Sequence, residues 1–354
     1  MFGRGRRPYM TRVGVVGCGY WGSKHVRVLR ELLGGDGVVA VDSSEERLGA
    51  LARSFPGLVC RTDLVSALND VDALVIATPP RTHAPLARFA MSEGKHVLIE
   101  KPFATSTADA ESLVAMAEEA GVVLMAGHTF EYNAAVDVLR EQVLTGELGQ
   151  VHYIDAARLN LGLYQPDVNV IWDLAPHDIS IMNYVLGTTP TRVAAWGSRH
   201  AHRDLEDVAY VRFEYDEPEV TAQLHVSWLY PNKVRKVTVV GNERMAVYDD
   251  LADDERIRVY DKGVIKPDPE ALHAPPMSYR YGGIVSPYIA FTEPLSNEDR
   301  HFLDCIRTGH TPRTDGYAGL AVVRLLEAAN QALREQRVIS LQPQSIPQST
   351  ALRV

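Results

Sequence analysis

The sequence predicts an α/β domain built on a doubly wound parallel sheet, followed by an α+β domain with a large, mostly antiparallel open sheet. Three observations support this fold class. A glycine-rich turn links a short apolar run to an amphipathic stretch near the amino terminus. From residue 12 to about residue 126, six β-branched runs alternate with amphipathic stretches, as in parallel sheets covered on both faces. Beyond residue 128, apolar residues recur at period two, which is typical of antiparallel strands.

The length of the chain predicts two domains, because 354 residues exceed one ordinary hydrophobic core. We expect a flexible leader over residues 1–10 and the parallel-sheet domain over 11–128. The second domain is expected over residues 129–342 and a disordered tail over 343–354. The C-terminal helix is a candidate to pack back on the first domain.

Charge and hydropathy restrict the partners. The net charge is −9 and no basic stripe offsets it, so neither nucleic acid nor an acidic membrane surface is expected as a partner. The sequence contains no uncharged run of eighteen apolar residues, which excludes a membrane-spanning helix. A small-molecule substrate is the remaining expectation.

Cysteine and histidine usage predicts neither disulfides nor a metal site. Cys18, Cys60 and Cys305 are isolated and odd in number, which favours reduced thiols and a cytoplasmic location. The pair His200-x-His202 has no third ligand marked in the sequence, so we interpret it as a surface pair.

The glycine-rich turn is Gly17-Cys18-Gly19-Tyr20-Trp21-Gly22, between the apolar run Val13-Gly14-Val15-Val16 and a helical pattern. Gly17 would allow a tight turn, Gly19 a close approach of the backbone to a pyrophosphate, and Gly22 the packing of helix on strand. The start of the helix would then face the anion. The turn, with Tyr20 and Trp21, therefore predicts a dinucleotide site in a Rossmann domain.

Asp42 strengthens this prediction, because it ends the apolar run Val38-Val39-Ala40-Val41 twenty residues after Gly22. Its carboxylate would accept from the adenosine ribose hydroxyls and would repel a 2′-phosphate. Ser43 and Ser44 supply no arginine to neutralise such a phosphate, so NAD is favoured over NADP. Arg47 is the residue that weakens this preference.

Two further loops are expected at the carboxyl ends of the strands, where such sheets bind ligands. The first is Thr78-Pro79-Pro80-Arg81-Thr82-His83, and the second is Glu100-Lys101-Pro102. Consecutive prolines also end strands in proteins without a function at that place. The position of the first loop favours a functional interpretation.

Lys101, His177 and Asp173 are the candidates for chemistry. Removing a hydride from a sugar carbon requires the hydroxyl to lose its proton, which an ammonium and a neutral imidazole would assist. Pro176 is tolerated only in a first turn, so we expect a helix starting at about Asp173. Asp173 and His177 would then share one face. The alternative is a helix N-cap at Asp173 and a surface histidine at 177.

These residues resemble the glucose-fructose oxidoreductase and inositol dehydrogenase family (Gfo/Idh/MocA), from the glycine loop to Glu293-Pro294-Leu295. The resemblance implies that Lys101, Asp173 and His177 form the catalytic group. It also implies that the nicotinamide side is lined by Thr78, Pro79, Pro80 and His83, with Gly127, His128 and Thr129 near the site. The amino-acid sequence of residues 172–178 is most similar to that of members that act on nucleotide-linked sugars.

The sequence indicates the substrate contacts and the oligomer contacts less specifically than the cofactor site. Arg158, Asn160 and Tyr164 would reach a sugar hydroxyl or phosphate, or else belong to the sheet surface. Trp228 and neighbouring apolar groups would remain in water on an open sheet, which predicts a homodimer or homotetramer through that sheet.

We therefore expect an NAD-dependent oxidoreductase that interconverts a secondary alcohol and a ketone on a sugar ring, with a nucleotide-linked sugar as substrate. Three alternatives remain open. They are an inositol (cyclitol) dehydrogenase, a glycosidase that uses NAD transiently, and a nucleotide-binding sensor without catalysis.

Overall fold

The computed structural model describes residues 11–162, 167–201, 203–265 and 278–342. The predicted leader and tail, as well as Tyr164 and His202, lie outside the described residues. The described chain divides into two compact units. Unit 1 contains the residues up to Thr129 and Glu293–Val323, and unit 2 contains Phe130–Thr292 and the residues from Arg324 onward. Residues 293–323, which the sequence assigned to the second domain, thus belong to unit 1.

Unit 1 contains a six-stranded parallel sheet, as the sequence predicted. Its strands are β1 (Val13–Val16), β2 (Val38–Val41), β3 (Val59–Arg61), β4 (Ala73–Ile76), β5 (His96–Glu100) and β6 (Leu124–Gly127). The spatial order β3-β2-β1-β4-β5-β6 changes direction between β1 and β4, which is the switch point of a doubly wound sheet. Every residue of β1, β2 and β4 is buried, and none carries a polar side chain, because both faces of the sheet are covered.

Three helices of unit 1 begin where a polar side chain caps them. Ser44, Asp63 and Ser106 each accept a hydrogen bond from a first-turn amide. The helices are α1 (Tyr20–Leu33), α2 (Glu45–Ser54), α3 (Leu64–Leu68), α4 (His83–Ser92), α5 (Thr107–Ala120) and, later in the chain, α8 (Pro294–Thr308). A last helix, α9, spans Gly316–Glu335. None of the helices in the described part of the chain has the length and hydropathy needed to cross a membrane.

The late segment joins unit 1 through the edge of β6. The Ala126 amide donates to the Thr314 carbonyl, and the Thr314 hydroxyl donates back to the Ala126 carbonyl, both at 2.7 Å. A Cβ on Gly319 would lie 2.7 Å from the ring of Phe103, so α9 packs closely against the residues after β5. Period analysis does not reveal such contacts, because they join residues far apart in the sequence.

Unit 2 contains a nine-stranded sheet in the order β14-β13-β12-β11-β7-β10-β9-β8-β15. Among the described strands of this sheet, β7 and β10 alone pair in parallel, so the prediction of a mostly antiparallel sheet is confirmed. The strands are β7 (Val151–Leu161), β8 (Arg192–Ser198), β9 (Val208–Tyr215), β10 (Val220–Ser227), β11 (Leu229–Gly241), β12 (Met245–Asp249), β13 (Ile257–Ile265), β14 (Ser278–Val285) and β15 (Ile339–Ser340). The helices are α6 (Ala134–Leu144) and α7 (Val170–Leu186).

One face of this sheet is covered by α7, which packs against β7, β9 and β10. The expectation that Trp228 lies on the uncovered face is wrong, because Trp228 is only 1% exposed. The physical reason is the alternation along β10, which puts Trp228 on the same covered side as Leu224 and Val226.

The predicted start of α7 at about Asp173 is also wrong. Asn169 is the N-cap and its side chain accepts from the Trp172 amide, so the helix begins at Val170. Pro176 therefore lies inside the helix and not in its first turn. Fourteen of the seventeen helix residues are buried, and this burial offsets the hydrogen bond that Pro176 cannot donate.

Candidate functional site

The glycine turn follows β1 and leads directly into α1. Gly17 has a φ of 88°, and a Cβ there would lie 2.8 Å from the backbone of Ala77. A Cβ on Gly22 would lie 1.8 Å from the Gly17 carbonyl oxygen, so neither position accepts a side chain. Gly19 differs, because nothing lies within 4 Å of its Cβ position. It is the N-cap of α1 and makes no side-chain capping bond, which leaves the helix start accessible to an anion.

Asp42 connects the glycine turn to the loop after β2. Its Oδ2 accepts from the Cys18 amide at 2.7 Å, and its Oδ1 accepts from the Ser44 amide at 2.8 Å. The Arg47 guanidinium lies 3.6 Å from Oδ2, and the Arg47 side chain is 61% exposed. The predicted ribose-binding carboxylate is therefore held rigidly, with an exposed cation beside it. Ser43 is exposed next to it.

The loop after β4 is held by His83, which is fully buried. Its Nε2 lies 2.7 Å from the Thr78 carbonyl oxygen and its Nδ1 lies 2.9 Å from the Pro102 carbonyl oxygen. Burial lowers the pKa of His83, while the two carbonyl oxygens act in the opposite direction. His83 thus joins the loop after β4 to the loop after β5. Pro79 and Pro80 lie between Thr78 and His83 and lead into a short 3-10 turn.

Lys101 follows the last residue of β5 and is half-buried. The Glu100 side chain is buried beside it, and its Oε2 accepts from the Lys101 amide at 3.0 Å. The other oxygen of Glu100 lies 3.1 Å from Nε2 of His25. Burial would raise the pKa of Glu100, but His25 and Lys101 together lower it, so the carboxylate is charged.

The end of β6 completes this edge of the sheet. A Cβ on Gly127 would lie 3.0 Å from the Cα of Glu100, so the two strand ends are in close contact. His128 is buried, and burial lowers its pKa to about 4. Thr129 donates to Oε2 of Glu298 at 2.7 Å. The predicted cofactor-binding residues of unit 1 therefore lie at the carboxyl ends of β1, β2, β4, β5 and β6.

Asp173 and His177 lie in unit 2, one helical turn apart on α7. Oδ2 of Asp173 accepts from the indole Nε1 of Trp228 at 2.9 Å. His177 is 8% exposed, and its ring packs edge-on against Phe130 at a centroid distance of 4.9 Å. The structure thus fixes both side chains, and the sequence did not reveal either Trp228 or Phe130 as a partner.

Arg158 has an internal partner. Its Nε and Nη2 lie 2.5 and 3.2 Å from the two carboxylate oxygens of Asp178. Its guanidinium also lies 4.6 Å from the centre of the Phe130 ring, and the residue is 4% exposed. The ion pair joins β7 to α7 beside His177. Asn160 is half-buried near the end of the same strand.

Sequence analysis missed His25 and Asp299, whose side chains are fully buried and 2.8 Å apart. Each lies on the apolar stripe of its helix. His25 is four residues before Leu29, and Asp299 is three residues before Phe302, both of which are fully buried. An ionisable residue on an apolar helix stripe is the signal that would have identified them.

A doubly wound sheet with these glycines and Asp42 at its carboxyl edge defines a nicotinamide dinucleotide-binding oxidoreductase, and the residues present fit that cofactor. Residues 11–128 match the model of an oxidoreductase family with an NAD-binding Rossmann fold, and residues 136–247 match the Gfo/Idh/MocA C-terminal domain. The chain belongs to the Gfo/Idh/MocA family.

Individual relatives agree with this assignment. The chain is 32% identical over 260 residues to UDP-N-acetylglucosamine 3-dehydrogenase of Acidithiobacillus ferrooxidans, which covers 71% of this chain and 77% of the relative. It is 28% identical over 345 residues to D-apiose dehydrogenase of Paraburkholderia graminis, covering 92% and 88%. The crystal structure of GenD2 from gentamicin A biosynthesis in complex with NAD has a TM-score of 0.77 and 27% identity, covering 97% and 99%. The protein is an NAD-dependent sugar oxidoreductase that acts on CH–OH groups.

Two glycines of the turn make contrasting predictions. Gly22→Ala should lower the free energy of unfolding by about 1–3 kcal/mol or more, because its Cβ would overlap the Gly17 carbonyl. Gly19→Ala should leave that free energy within about 0.5 kcal/mol of the original, since its Cβ meets open space. It should weaken NADH binding at least tenfold, or by about 1.4 kcal/mol. Urea unfolding and fluorescence titration measure both. Unchanged NADH affinity in Gly19→Ala would show that the cofactor does not approach there.

His128 makes a prediction about pH. Its pKa is about 4 in the folded protein and about 6.5 when unfolded, so only the unfolded chain binds this proton as the pH falls through that window. Between pH 7 and pH 5, His128 should therefore cost about 2 kcal/mol of unfolding free energy. His128→Gln should lose correspondingly less over that range, whereas the surface variant His310→Gln should behave like the original. Equal losses in all three proteins would contradict a buried, neutral His128.

Proposed function

We propose that the protein interconverts a secondary alcohol and a ketone on the ring of a nucleotide-linked sugar, with Lys101, Asp173 and His177 as catalytic residues. The main support is the position of Lys101. It extends from the end of β5, on the sheet edge that carries the glycine turn, and its backbone is bonded to a buried carboxylate. That Lys101 acts together with the two residues of unit 2 is part of the proposal.

The proposed cofactor-binding residues are those that the sequence singled out. They are Gly17, Gly19, Tyr20, Trp21, Gly22, Asp42, Ser43, Arg47, Thr78, Pro79, Pro80, His83, Glu100, Lys101 and His128. Bound NAD would supply the acceptor for the hydride of the ring carbon. The Asp42 carboxylate supports NAD over NADP because a 2′-phosphate would be repelled there, while the nearby Arg47 reduces that repulsion.

In the proposed reaction, Lys101 and His177 have different roles at the hydroxyl that reacts. The Lys101 ammonium stabilises the negative charge that develops on the oxygen, and the His177 imidazole takes the proton. Asp173 contributes orientation and negative charge. Its carboxylate is held by the indole of Trp228, which supports a fixed position on α7.

The proposed substrate class rests on the relative named for UDP-N-acetylglucosamine, at 32% identity. Asn160 is the described candidate for contact with the sugar. Arg158 is a weaker candidate than the sequence indicated, because both of its bonding nitrogens are engaged by Asp178 in the interior.

We also propose a homodimer or homotetramer that forms through the uncovered face of the nine-stranded sheet. That face carries an exposed stack of three rings, in which the Trp196 and Tyr210 centroids are 5.8 Å apart and the Tyr210 and His225 centroids are 4.1 Å apart. Trp196 is 58% exposed and Tyr210 is 40% exposed. A second copy of the chain would cover this aromatic surface.

A cytoplasmic location is the proposed compartment. Cys18, Cys60 and Cys305 are all free. Burial raises the pKa of Cys18 to about 12 and that of Cys305 to about 11, so both thiols are unreactive near neutral pH. Free, unreactive thiols support a reducing compartment.

Replacing Lys101 tests the proposed chemistry. Lys101→Ala should lower kcat roughly 100-fold or more, the size of a general acid–base contribution. It should change NAD affinity far less, because the other proposed cofactor-binding residues remain. The assay is NADH absorbance with a panel of nucleotide sugars, free sugars and inositols. Lys95→Ala is the matched control, because Lys95 precedes β5 at its opposite end. Unchanged turnover in Lys101→Ala would remove this lysine from the mechanism.

Replacing Tyr210 tests the proposed assembly. Tyr210→Arg should shift the protein toward the monomer mass in light scattering, because a charge would be buried in the aromatic contact. Tyr317→Arg is the control, since Tyr317 is 45% exposed but lies on α9. A monomeric original protein, or an unchanged mass in Tyr210→Arg, would contradict an interface on this face.

A further inference from the structure

Three buried ionisable side chains of unit 1 form a continuous row of polar contacts, which we call the buried chain. His25 of α1 lies between Asp299 of α8 and Glu100 of β5, with Nδ1 2.8 Å from Asp299 and Nε2 3.1 Å from Glu100. His25 and Asp299 are fully buried and Glu100 is 5% exposed. The buried chain therefore crosses the interior and ends at the residue that precedes Lys101.

The two contacts of His25 determine the protonation state of its imidazole. A neutral imidazole has one N–H donor, whereas the imidazolium has two. When both partners are ionised carboxylates, a bond at each nitrogen requires the cation. Burial raises the pKa of Asp299, and the charge of His25 opposes this rise. Burial would lower the pKa of His25, but Asp299 and Glu100 raise it well above its ordinary value.

We propose that His25 and Asp299 are positioning residues for the reaction, which act through Glu100 to fix the backbone that carries Lys101. The inference rests on the proposed function of Lys101. The two carboxylate oxygens of Glu100 have different partners. Oε1 contacts His25, and Oε2 accepts a hydrogen bond from the Lys101 amide. Restraint of the first oxygen by His25 fixes the direction of the second.

The surroundings of the buried chain restrict how Glu100 rearranges if His25 is lost. Glu298 of α8 is fully buried nearby, and burial together with the charge of Glu100 raises its pKa well above its ordinary value. Lys101 is the other cation that lowers the pKa of Glu100. Without the His25 cation, Glu100 would therefore turn toward the Lys101 ammonium or take up a proton. Either change alters the placement of the catalytic amine.

Two substitutions of His25 separate its two contacts. An asparagine amide nitrogen lies near the position of Nδ1 and a glutamine amide nitrogen near that of Nε2. His25→Gln keeps a donor toward Glu100, and His25→Asn keeps one toward Asp299. We expect kcat to fall roughly tenfold or more in His25→Asn and about threefold or less in His25→Gln, with NAD dissociation constants within about threefold of the original. A purely structural role would instead make kcat follow the loss of unfolding free energy.

The control is His96→Asn, because His96 lies at the opposite end of β5 and its Nδ1 accepts from the Val123 amide. It should keep its turnover. Equal kcat losses in the two His25 variants, or values within about twofold of the original in both, would overturn the inference. If Lys101→Ala loses turnover while His25→Asn keeps it, the inference fails and the proposed function stands. Absence of turnover in the original protein with every substrate would overturn the proposed function.

A second measurement does not depend on activity or on the stability of a variant. Nitrogen-15 NMR of the histidine side chains in the unaltered protein at about pH 8 should show a histidine with both ring nitrogens protonated. This imidazolium is expected at His25, because Asp299 and Glu100 face it from α8 and β5, with Glu298 and Lys101 beside them. If every histidine is neutral at that pH, the cationic link is absent and the inference is overturned.

Discussion

A buried imidazole between two buried carboxylates is the interaction on which the functional edge of unit 1 depends. A charge in the interior must be paired, and removing one partner of a buried pair typically costs about 3–5 kcal/mol. Asp299, His25 and Glu100 meet this requirement while they join α8, α1 and β5. The end of β5 is thereby fixed from inside the unit. The fixed end of β5 then limits the movement of the loops beside it.

The neighbouring loops are held by polar side chains that form hydrogen bonds with backbone groups. Asp42 bonds the glycine turn to the loop after β2, and His83 joins the loops after β4 and β5. These residues are predicted cofactor contacts, and each also organises the backbone around it. Pre-organised loops spend less binding energy on ordering when a cofactor arrives. The open space around Gly19 lies within this rigid frame.

Local pattern explains what the sequence predicted well. Apolar runs identified the strands of the parallel sheet, and glycine spacing identified the turn after β1, because both depend on neighbours in the chain. Pro176 misled the placement of α7 because tertiary burial outweighed a local rule. Trp228 was misplaced because the alternation along β10 does not show which face of the sheet α7 covers. The pairing of His25 with Asp299 spans 274 residues and leaves no local pattern beyond two ionisable side chains on apolar stripes.

We propose that a lysine at the end of β5 stabilises the oxygen of a sugar hydroxyl while hydride passes to NAD. A crystal structure of the protein with NADH and a nucleotide-linked sugar tests it most directly. We expect the Lys101 Nζ and a His177 ring nitrogen within about 3 Å of one ring hydroxyl oxygen, the reach of a hydrogen bond. A sugar bound with both groups well beyond that reach would contradict it.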